Sequence, residues 1–417
     1  MTTPIAPTAA SPLRTVSDGE RRARLGLRHA LAAEAELAQG DVVAAARSVV
    51  VLHATEAVSV YLSAWARCGA TREEVEDVLY RDRSIVKQMA MRRTVFAVPR
   101  DLLPAVRGSA AARVATQQQA LLARSLVTGG VADDVAAASR WVERACAQVL
   151  TRLQASSAST RQLREELPLL ALRLPRPEAP TAPPAPLASR VLTVLAATGQ
   201  VVRGDNQGDW TTSRPLWTPL QTWIDGSTDA ARAATRTAPY SETLPEAQGY
   251  AELVRRWLWS YGPGTETDLT WWLGATKTAV RRALVDVGAV EVNLQDGSQA
   301  WLHPDDVDEV QPPRPWAALL PALDPTTMGW KGRAFHVDTA TAATVYDRAG
   351  NGLPTAWWSG RIVGTWSQQS DGAVIVQPHV PLSTTAERAL RHKAGEVTTW
   401  LDGRVLRTTF HRPLPGP

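Results

Sequence analysis

The sequence predicts an α+β fold in which winged-helix units follow one another and short strands complete the C-terminal part. Two stretches, 151–212 and 250–303, each show the order helix, turn, helix, strand, turn and strand that is typical of a winged helix. The 417 residues are enough for several folded units at roughly 150 residues per domain. With 44% hydrophobic and 21% charged residues, the composition is that of a globular chain rather than a disordered one.

The N-terminal part predicts a short disordered segment and then a largely helical unit. Residues 1–18 are rich in Pro, Thr, Ser and Ala, which predicts disorder, and the first unit is assigned to 19–150. Within this unit, Asp41 is placed to cap a helix over 42–53, so position 53 is expected on a helix. A change to apolar alternation over 89–100 predicts a strand.

The second unit is assigned to 151–245. Two helices separated by a turn are predicted within 151–173, and a proline-rich stretch follows at 173–188. That stretch is either a boundary between domains or an extended loop inside one unit. Strands are predicted at 199–204 and 209–212 around a turn that contains Asp, Asn and Gly, which completes the winged-helix order.

The third unit, 246–312, has the clearest winged-helix pattern. The expected helices are 250–261, 265–274 and 276–287, and the expected strands are 289–294 and 299–303 around an Asp-Gly turn. The third helix is the expected recognition helix, and its cations either contact DNA or form a solvated face; they are Lys277, Arg281 and Arg282. The remaining residues, 313–417, predict short strands in a small β-barrel or sheet and a final helix.

Charge and motifs exclude several classes of protein. The net charge is only +4, but all except four of the 45 cationic residues are arginine, whose guanidinium suits phosphates and guanine edges. A GC-rich genome is the alternative reason for this excess. No apolar run is long enough to span a membrane, no secretory signal is seen, and the two cysteines form no zinc-type cluster. We therefore expect a cytoplasmic protein with no cofactor, no metal and no membrane partner.

Several short motifs occur in a fixed order along the chain. They are Val49–Ala57, Met91–Thr94, Gly204 with Asp209–Trp217, Tyr261–Leu269, Leu319–Pro325, Met328–Trp330 with Arg333, and Gly360–Trp366. Each motif is weak alone. Together, over roughly residues 20 to 405, they resemble the AlkZ/YcaQ-like superfamily of winged-helix DNA glycosylases.

The resemblance implies three tandem winged-helix units around a concave DNA-binding channel, plus a C-terminal β-barrel. It also implies a monofunctional glycosylase that hydrolyses the N-glycosidic bond of alkylated purines in double-stranded DNA, such as N7-alkylguanine or a bulky or crosslinked adduct. A monomer associated with the nucleoid is expected, because tandem units in one chain replace the symmetric dimer of a simple repressor. The alternative is a winged-helix DNA-binding protein without catalysis, a regulator or a damage sensor.

The resemblance places the catalytic motif directly after an apolar run. Members of the superfamily carry Gln-x-Gln or Gln-x-Asp there, and the matching residues in this chain are His53 and Thr55 with Ala54 between them. A neutral His53 can accept a proton from the attacking water near pH 7, and Thr55 can orient that water. Glu56 is a candidate to supply a carboxylate. The alternatives are a histidine that only lines a groove and a threonine that only packs.

Further residues are expected to contact DNA. They are Arg92, Arg93, Thr94, Trp210, Arg214, Arg333 and the three cations of the recognition helix. Arg92 and Arg93 would hold a phosphate beside the active site, or else form a solvated face. Trp210, on the predicted wing of the second unit, would wedge into or stack on an opened base pair. Packing of Trp210 against a neighbouring element is the alternative.

Overall fold

The computed structural model describes residues 14–35, 37–175, 183–227, 242–407 and 409–411 and has a mixed α+β architecture. The helices in these residues are α1 Asp18–Arg28, α2 Val42–Ser48, α3 Ala57–Cys68, α4 Arg72–Glu76, α5 Leu103–Val106, α6 Ala112–Thr128, α7 Val135–Ala155, α8 Thr160–Glu166, α9 Pro168–Ala171, α10 Ala188–Ala197, α11 Leu220–Asp225, α12 Glu246–Tyr261, α13 Glu266–Leu273, α14 Lys277–Val287, α15 Thr339–Val345 and α16 Thr384–Leu401. None of them is long and apolar enough to cross a membrane.

Short strands in the described residues pair into small sheets. The strands are β1 Thr15–Val16, β2 Leu52–His53, β3 Ile85–Ala90, β4 Thr94–Pro99, β5 Arg173–Leu174, β6 Ala185–Pro186, β7 Val201–Asn206, β8 Pro215–Pro219, β9 Val290–Leu294, β10 Gln299–Leu302, β11 Ala317–Leu320, β12 Thr355–Trp358, β13 Arg361–Gln368 and β14 Val374–Pro378. The sheet orders are β1-β9-β10, β2-β4-β3, β5-β6, β7-β8 and β11-β12-β13-β14. One large apolar core contacts most of these elements, and a small second cluster lies under β1, β9 and β10.

The predicted elements of the third unit are confirmed to within a few residues, because local signals determine their ends. A capping box opens α13: Thr265 Oγ1 accepts a hydrogen bond from the Asp268 amide at 3.1 Å, and the Asp268 carboxylate accepts one from the Thr265 amide. Gly274 and Gly288 end α13 and α14 with positive φ, which glycine adopts at little cost. Gly297 supplies the positive φ of the hairpin turn between β9 and β10.

The helix predicted over 42–53 is wrong in its second half. The observed helix α2 ends at Ser48, and Val50 has a φ of +66°, which a β-branched residue rarely adopts. Leu52–His53 then runs extended as β2 and pairs antiparallel with β4. Three consecutive valines at 49–51 disfavour a continued helix, because β-branched side chains crowd the preceding turn. Position 53 is therefore on a strand.

The disorder predicted for 1–18 is wrong for its last residues, whereas residues 1–13 lie outside the described part of the chain. Thr15–Val16 forms β1, which pairs in parallel with Asn293–Leu294 of β9. The Val16 side chain is fully buried in the small cluster under this sheet. The N-terminal segment is thus held by pairing with a strand that lies almost 280 residues later in the sequence.

The second strand of the predicted hairpin in 151–245 lies later than expected. It is β8, Pro215–Pro219, rather than 209–212. Asp209 holds the expected stretch in a turn, because its Oδ1 accepts a hydrogen bond from the Thr211 amide at 2.9 Å. Residues 176–182 of the proline-rich stretch and residues 228–241 lie outside the described residues.

The C-terminal strands form an open sheet and not the expected barrel. β11, β12, β13 and β14 pair antiparallel in sequence order, and within the described residues β11 and β14 remain its two edges. Four strands are too few to close around a filled interior. Helix α16 packs across this sheet instead. The division into winged-helix units at 19–150, 151–245 and 246–312 stays a prediction.

A buried ion pair joins α3 to the segment 319–330. Arg67 on α3 and Asp324 both have 0% exposed side chains, and their Nη2 and Oδ1 atoms lie 2.7 Å apart. Ser63 donates to Asp324 Oδ2 at 2.6 Å, and Thr326 donates its amide to Oδ1 at 2.9 Å. Burial alone would raise the pKa of Asp324, but Arg67 and these hydrogen bonds hold it below its usual value. His29 Nδ1 contacts Thr326 Oγ1 at 2.9 Å and extends the network to α1.

Removing the charge of Asp324 should destabilise the fold strongly. In Asp324→Asn, Arg67 remains buried without its counter-ion, and we expect the free energy of unfolding to fall by about 3 to 5 kcal/mol. Urea denaturation measures this loss. The double variant Arg67→Met/Asp324→Leu should recover most of it, because no unpaired charge is then buried. A loss below about 1 kcal/mol in Asp324→Asn would show that the pair does not hold these segments together.

Candidate active site

A pocket of about 270 Å³ lies where N-terminal and C-terminal segments meet. Its described lining residues are His53, Arg92, Thr94, Trp271, Met328, Lys331, Arg333, Ala349, Gly350 and Asn351. Strand β2, the turn before β4 and helix α13 form one side, and the segment 328–351 forms the other. The structure thus brings together four of the residues predicted from sequence, namely His53, Arg92, Thr94 and Arg333.

His53 is a nearly buried, neutral side chain in this pocket. Pairing of β2 with Phe96 on β4 fixes its backbone, and the two rings meet edge to face at 5.3 Å. Its side chain is 8% exposed, and its buried Nδ1 has no hydrogen-bond partner among the described residues. Burial, and then the positive charge of Arg92, lower the pKa of His53 to about 3. The ring is therefore an uncharged hydrogen-bonding group at neutral pH.

The turn before β4 presents Arg92 to the pocket. Arg92 and Arg93 have φ values of +53° and +61°, a backbone conformation that non-glycine residues seldom adopt outside strained or functional sites. The Arg92 guanidinium carbon lies 4.0 Å from the centroid of the Trp271 ring, and burial lowers the pKa of Arg92 to about 10. Thr94 lines the pocket beside it, whereas Arg93 is exposed and does not line it.

Asp268 fixes the opposite wall of the pocket. Its Oδ1 accepts hydrogen bonds from the amides of Lys331 and Gly332, each at 2.8 Å, while its Oδ2 caps α13. Arg333 follows in the same loop and donates from Nε to the Trp330 carbonyl at 3.1 Å. Its guanidinium lies 3.8 Å from the Tyr346 ring centroid. One buried carboxylate thereby positions two cations at the pocket.

The pocket is strongly positive. Arg92, Lys331 and Arg333 line it, and no acidic side chain is among its described lining residues. A small pocket with three cations and no carboxylate favours an anionic group such as a phosphate. Among the described residues, no group of three or more His, Cys, Asp or Glu side chains is arranged to hold a metal ion.

Thr55 of the predicted catalytic motif and the neighbouring candidate Glu56 do not line this pocket. Thr55 is exposed. Glu56 is 9% exposed, and its carboxylate accepts a hydrogen bond from the Phe410 amide at 3.3 Å and lies 3.3 Å from His411 Nδ1. Glu56 is therefore held by the C-terminal segment, although its negative charge still acts on His53 by raising its pKa slightly against burial.

Trp210 lies in an internal aromatic cluster. Its side chain is 6% exposed, with the rings of Tyr61 and Trp400 at 5.4 and 5.3 Å and the Arg72 guanidinium at 5.2 Å. This burial favours the packing alternative over a wedge in DNA. Arg214 is exposed in the turn before β8 and does not line the pocket.

The cations of the predicted recognition helix are exposed on α14 and are partly paired on the protein. Lys277 and Arg281 contact Glu266, at 3.6 Å for Lys277 Nζ and 2.5 Å for Arg281 Nε. Arg282 pairs with Asp286 at 2.8 Å. Exposed pairs of this kind contribute little to stability, so the cations can exchange these partners for phosphates at small cost.

Sequence reasoning missed three residues that shape the site. Trp271 provides an aromatic wall, Lys331 a third cation, and Asp268 the anchor of the loop that carries Lys331. Asp268 had a recognisable signal, because Thr265-x-x-Asp268 is a capping box. Nothing in the local sequence distinguishes Trp271 or Lys331 from a packed tryptophan and a solvated lysine.

Comparisons with known proteins identify a family and a fold. A sequence model of the family described as DNA glycosylase AlkZ-like matches residues 46–400, which include every residue lining the pocket. Among solved structures, Streptomyces sahachiroi DNA glycosylase AlkZ matches with a TM-score of 0.70 and 20% sequence identity, over 94% of this chain and 98% of that chain. At this identity the match shows the fold. Comparison with curated proteins finds no match.

The buried histidines should make stability depend on pH. The pKa of His29 and of His53 is about 3 in the folded protein. As the pH falls below about 6.5, these two histidines therefore bind protons in the unfolded chain but not in the folded protein. The contribution of each neutral histidine to the free energy of unfolding is therefore fully present above pH 7. It should fall by about 2 kcal/mol per histidine between pH 7 and pH 5. Urea denaturation of the wild type and His53→Leu at both pH values measures this. If the free energy of unfolding of His53→Leu fell as steeply as that of the wild type, the lowered pKa of His53 would be contradicted.

Proposed function

The chain belongs to the AlkZ-like DNA glycosylase family, and from this premise we propose that it hydrolyses the N-glycosidic bond of alkylated purines in double-stranded DNA. The damaged base is N7-alkylguanine or a bulky or crosslinked adduct at the same atom. The proposal is supported above all by the presence of an uncharged histidine, His53, in the lining of a cationic pocket. The protein acts as a monomer, with winged-helix units at 19–150, 151–245 and 246–312 contacting the duplex.

The chemistry of the substrate determines what the pocket must provide. Alkylation at N7 leaves guanine positively charged, so the base departs as a neutral molecule and needs little help from a general acid. Two requirements remain. A water molecule must be placed next to C1′ of the sugar, and the positive charge that develops on the sugar must not be opposed.

His53 meets the first requirement. Its neutral ring accepts a hydrogen bond from water and holds that water for attack on C1′. As the bond from water oxygen to C1′ forms and the bond from C1′ to the base nitrogen breaks, the water loses a proton. A ring whose pKa is about 3 does not retain this proton, which passes to solvent. His53 therefore acts chiefly by orienting the nucleophile.

The cations meet the second requirement only when DNA is bound. Arg92, Lys331 and Arg333 alone would oppose a positive charge on the sugar. Phosphates on either side of an extruded nucleotide neutralise them and fix the sugar relative to His53. Thr94 adds a hydroxyl donor next to Arg92. We therefore assign these residues to phosphate binding rather than to leaving-group activation.

The exposed cations are proposed to hold duplex DNA outside the pocket. Arg93 and Arg214 are exposed on turns, and the remaining ones lie on α14: Lys277, Arg281 and Arg282. Thr55 lies outside the pocket, and Glu56 is hydrogen-bonded to the C-terminal segment. We therefore propose no role in the reaction for either residue. Thr55 serves as the comparison residue in the experiment below.

Base release from duplex DNA tests the proposal. Substrates carry one N7-methylguanine or one bulky N7-guanine adduct, and released base is quantified by chromatography under single-turnover conditions. His53→Ala should reduce the rate at least 100-fold while changing DNA affinity less than threefold, because the residue positions water and holds no phosphate. Thr55→Ala should stay within threefold of the wild-type rate.

The control separates catalysis from binding. DNA affinity is measured for every variant at two salt concentrations, since phosphate contacts make it salt-dependent. A wild type that binds duplex DNA in this salt-dependent manner but releases neither base would contradict the proposal and favour a DNA-binding protein without catalysis.

A further inference from the structure

A second, larger opening lies at the other end of α3 from His53. Its volume is about 1240 Å³, and we call it the α16 cleft after the helix that forms one wall, Thr384–Leu401. The opposite wall is formed by the end of α3 and by 315–319. It shares no lining residue with the pocket of His53. The twelve residues of α3 rise by roughly 18 Å between the two openings.

The wall formed by α16 carries positive charge that the protein does not neutralise. Arg388 and Arg391 are exposed on the cleft side of the helix, and neither forms an ion pair with a described residue. Glu396 is the single acidic side chain among the described lining residues. Its carboxylate already contacts Lys393 Nζ at 2.7 Å and His392 Nε2 at 3.2 Å. The two guanidinium groups are therefore available to an anionic ligand.

The cleft also contains aromatic surface. Trp65 and Trp400 are half-buried in its lining, with ring centroids 6.3 Å apart and planes tilted by 45°. Trp400 is held in place because its Nε1 donates to the Ala70 carbonyl at 3.0 Å. A third indole, Trp316, is more deeply buried in the wall formed by 315–319. The cleft therefore holds indoles and, further along α16, guanidinium groups without an ion-pair partner among the described residues. Aromatic rings stack unpaired bases, and cationic groups along the same groove bind their phosphates.

We propose that the α16 cleft binds a short stretch of single-stranded DNA. Its volume exceeds the roughly 300 to 1,000 Å³ of small-molecule pockets and suits a chain of a few nucleotides. Duplex DNA keeps its bases stacked on one another, so only an unpaired strand can use Trp65 and Trp400. The site concerns strand binding and does not depend on base excision at His53.

Binding of a fluorescein-labelled eight-nucleotide oligothymidylate, followed by anisotropy, tests the proposal. The variant Arg388→Glu/Arg391→Glu should bind at least tenfold more weakly than the wild type. The matched control is Arg140→Glu/Arg144→Glu, which changes two exposed arginines on α7 that also form no ion pair with a described residue. The control should bind within twofold of the wild type. An abasic oligonucleotide of equal length should bind at least fivefold more weakly, because it offers no base to stack.

The outcomes distinguish this site from the proposed active site. Equal binding by the wild type and Arg388→Glu/Arg391→Glu would overturn the proposal, as would equal binding of the abasic and thymidine strands. Base release from a fully paired duplex is measured in parallel and should be unchanged in this variant. A parallel loss of base release would also overturn the proposal, because the cleft would then belong to the duplex-binding surface.

Discussion

The buried ion pair between Arg67 and Asp324 is the interaction on which the candidate site depends. The walls of the pocket come from two parts of the chain, with His53 and Arg92 on one side and the segment 328–351 on the other. Apolar packing alone specifies the register of such parts only loosely, and we propose that the fully buried carboxylate with its defined donors selects one arrangement. Asp324 is bonded to α3 and lies four residues before Met328, where the segment begins to line the pocket, so it can fix the position of that segment.

The Arg67–Asp324 ion pair also affects the electrostatics of the site. Asp324 and Glu56 both oppose the lowering of the His53 pKa, but each carboxylate is occupied elsewhere, by Arg67 and by the C-terminal segment. The pocket is thus left with a neutral acceptor and three cations. In the proposed reaction, the cations bind phosphates and the histidine orients water. An N7-alkylguanine, the substrate that we propose, is itself cationic and would require no more than this.

Local signals in the sequence predicted much of the fold, because helix ends are determined by a few neighbouring residues. The capping box at Thr265 and the glycines after α13 and α14 are of this kind. The strand at His53 was not foreseen, since it depends on pairing with β4 and on the unusual φ of Val50. Lys331 and Trp271 were missed for the same reason: residues far apart in sequence form the pocket, and only the tertiary structure brings them together.

The pH dependence of base release shows whether His53 works as a neutral group with a strongly lowered pKa. Single-turnover rates on N7-methylguanine duplex are measured from pH 5 to pH 8, with folding checked by circular dichroism at each pH. A pKa of about 3 predicts a nearly constant rate over this range, because the ring is neutral throughout. A rate that falls with a midpoint near pH 6.5, and loses this midpoint in His53→Gln, would contradict the account.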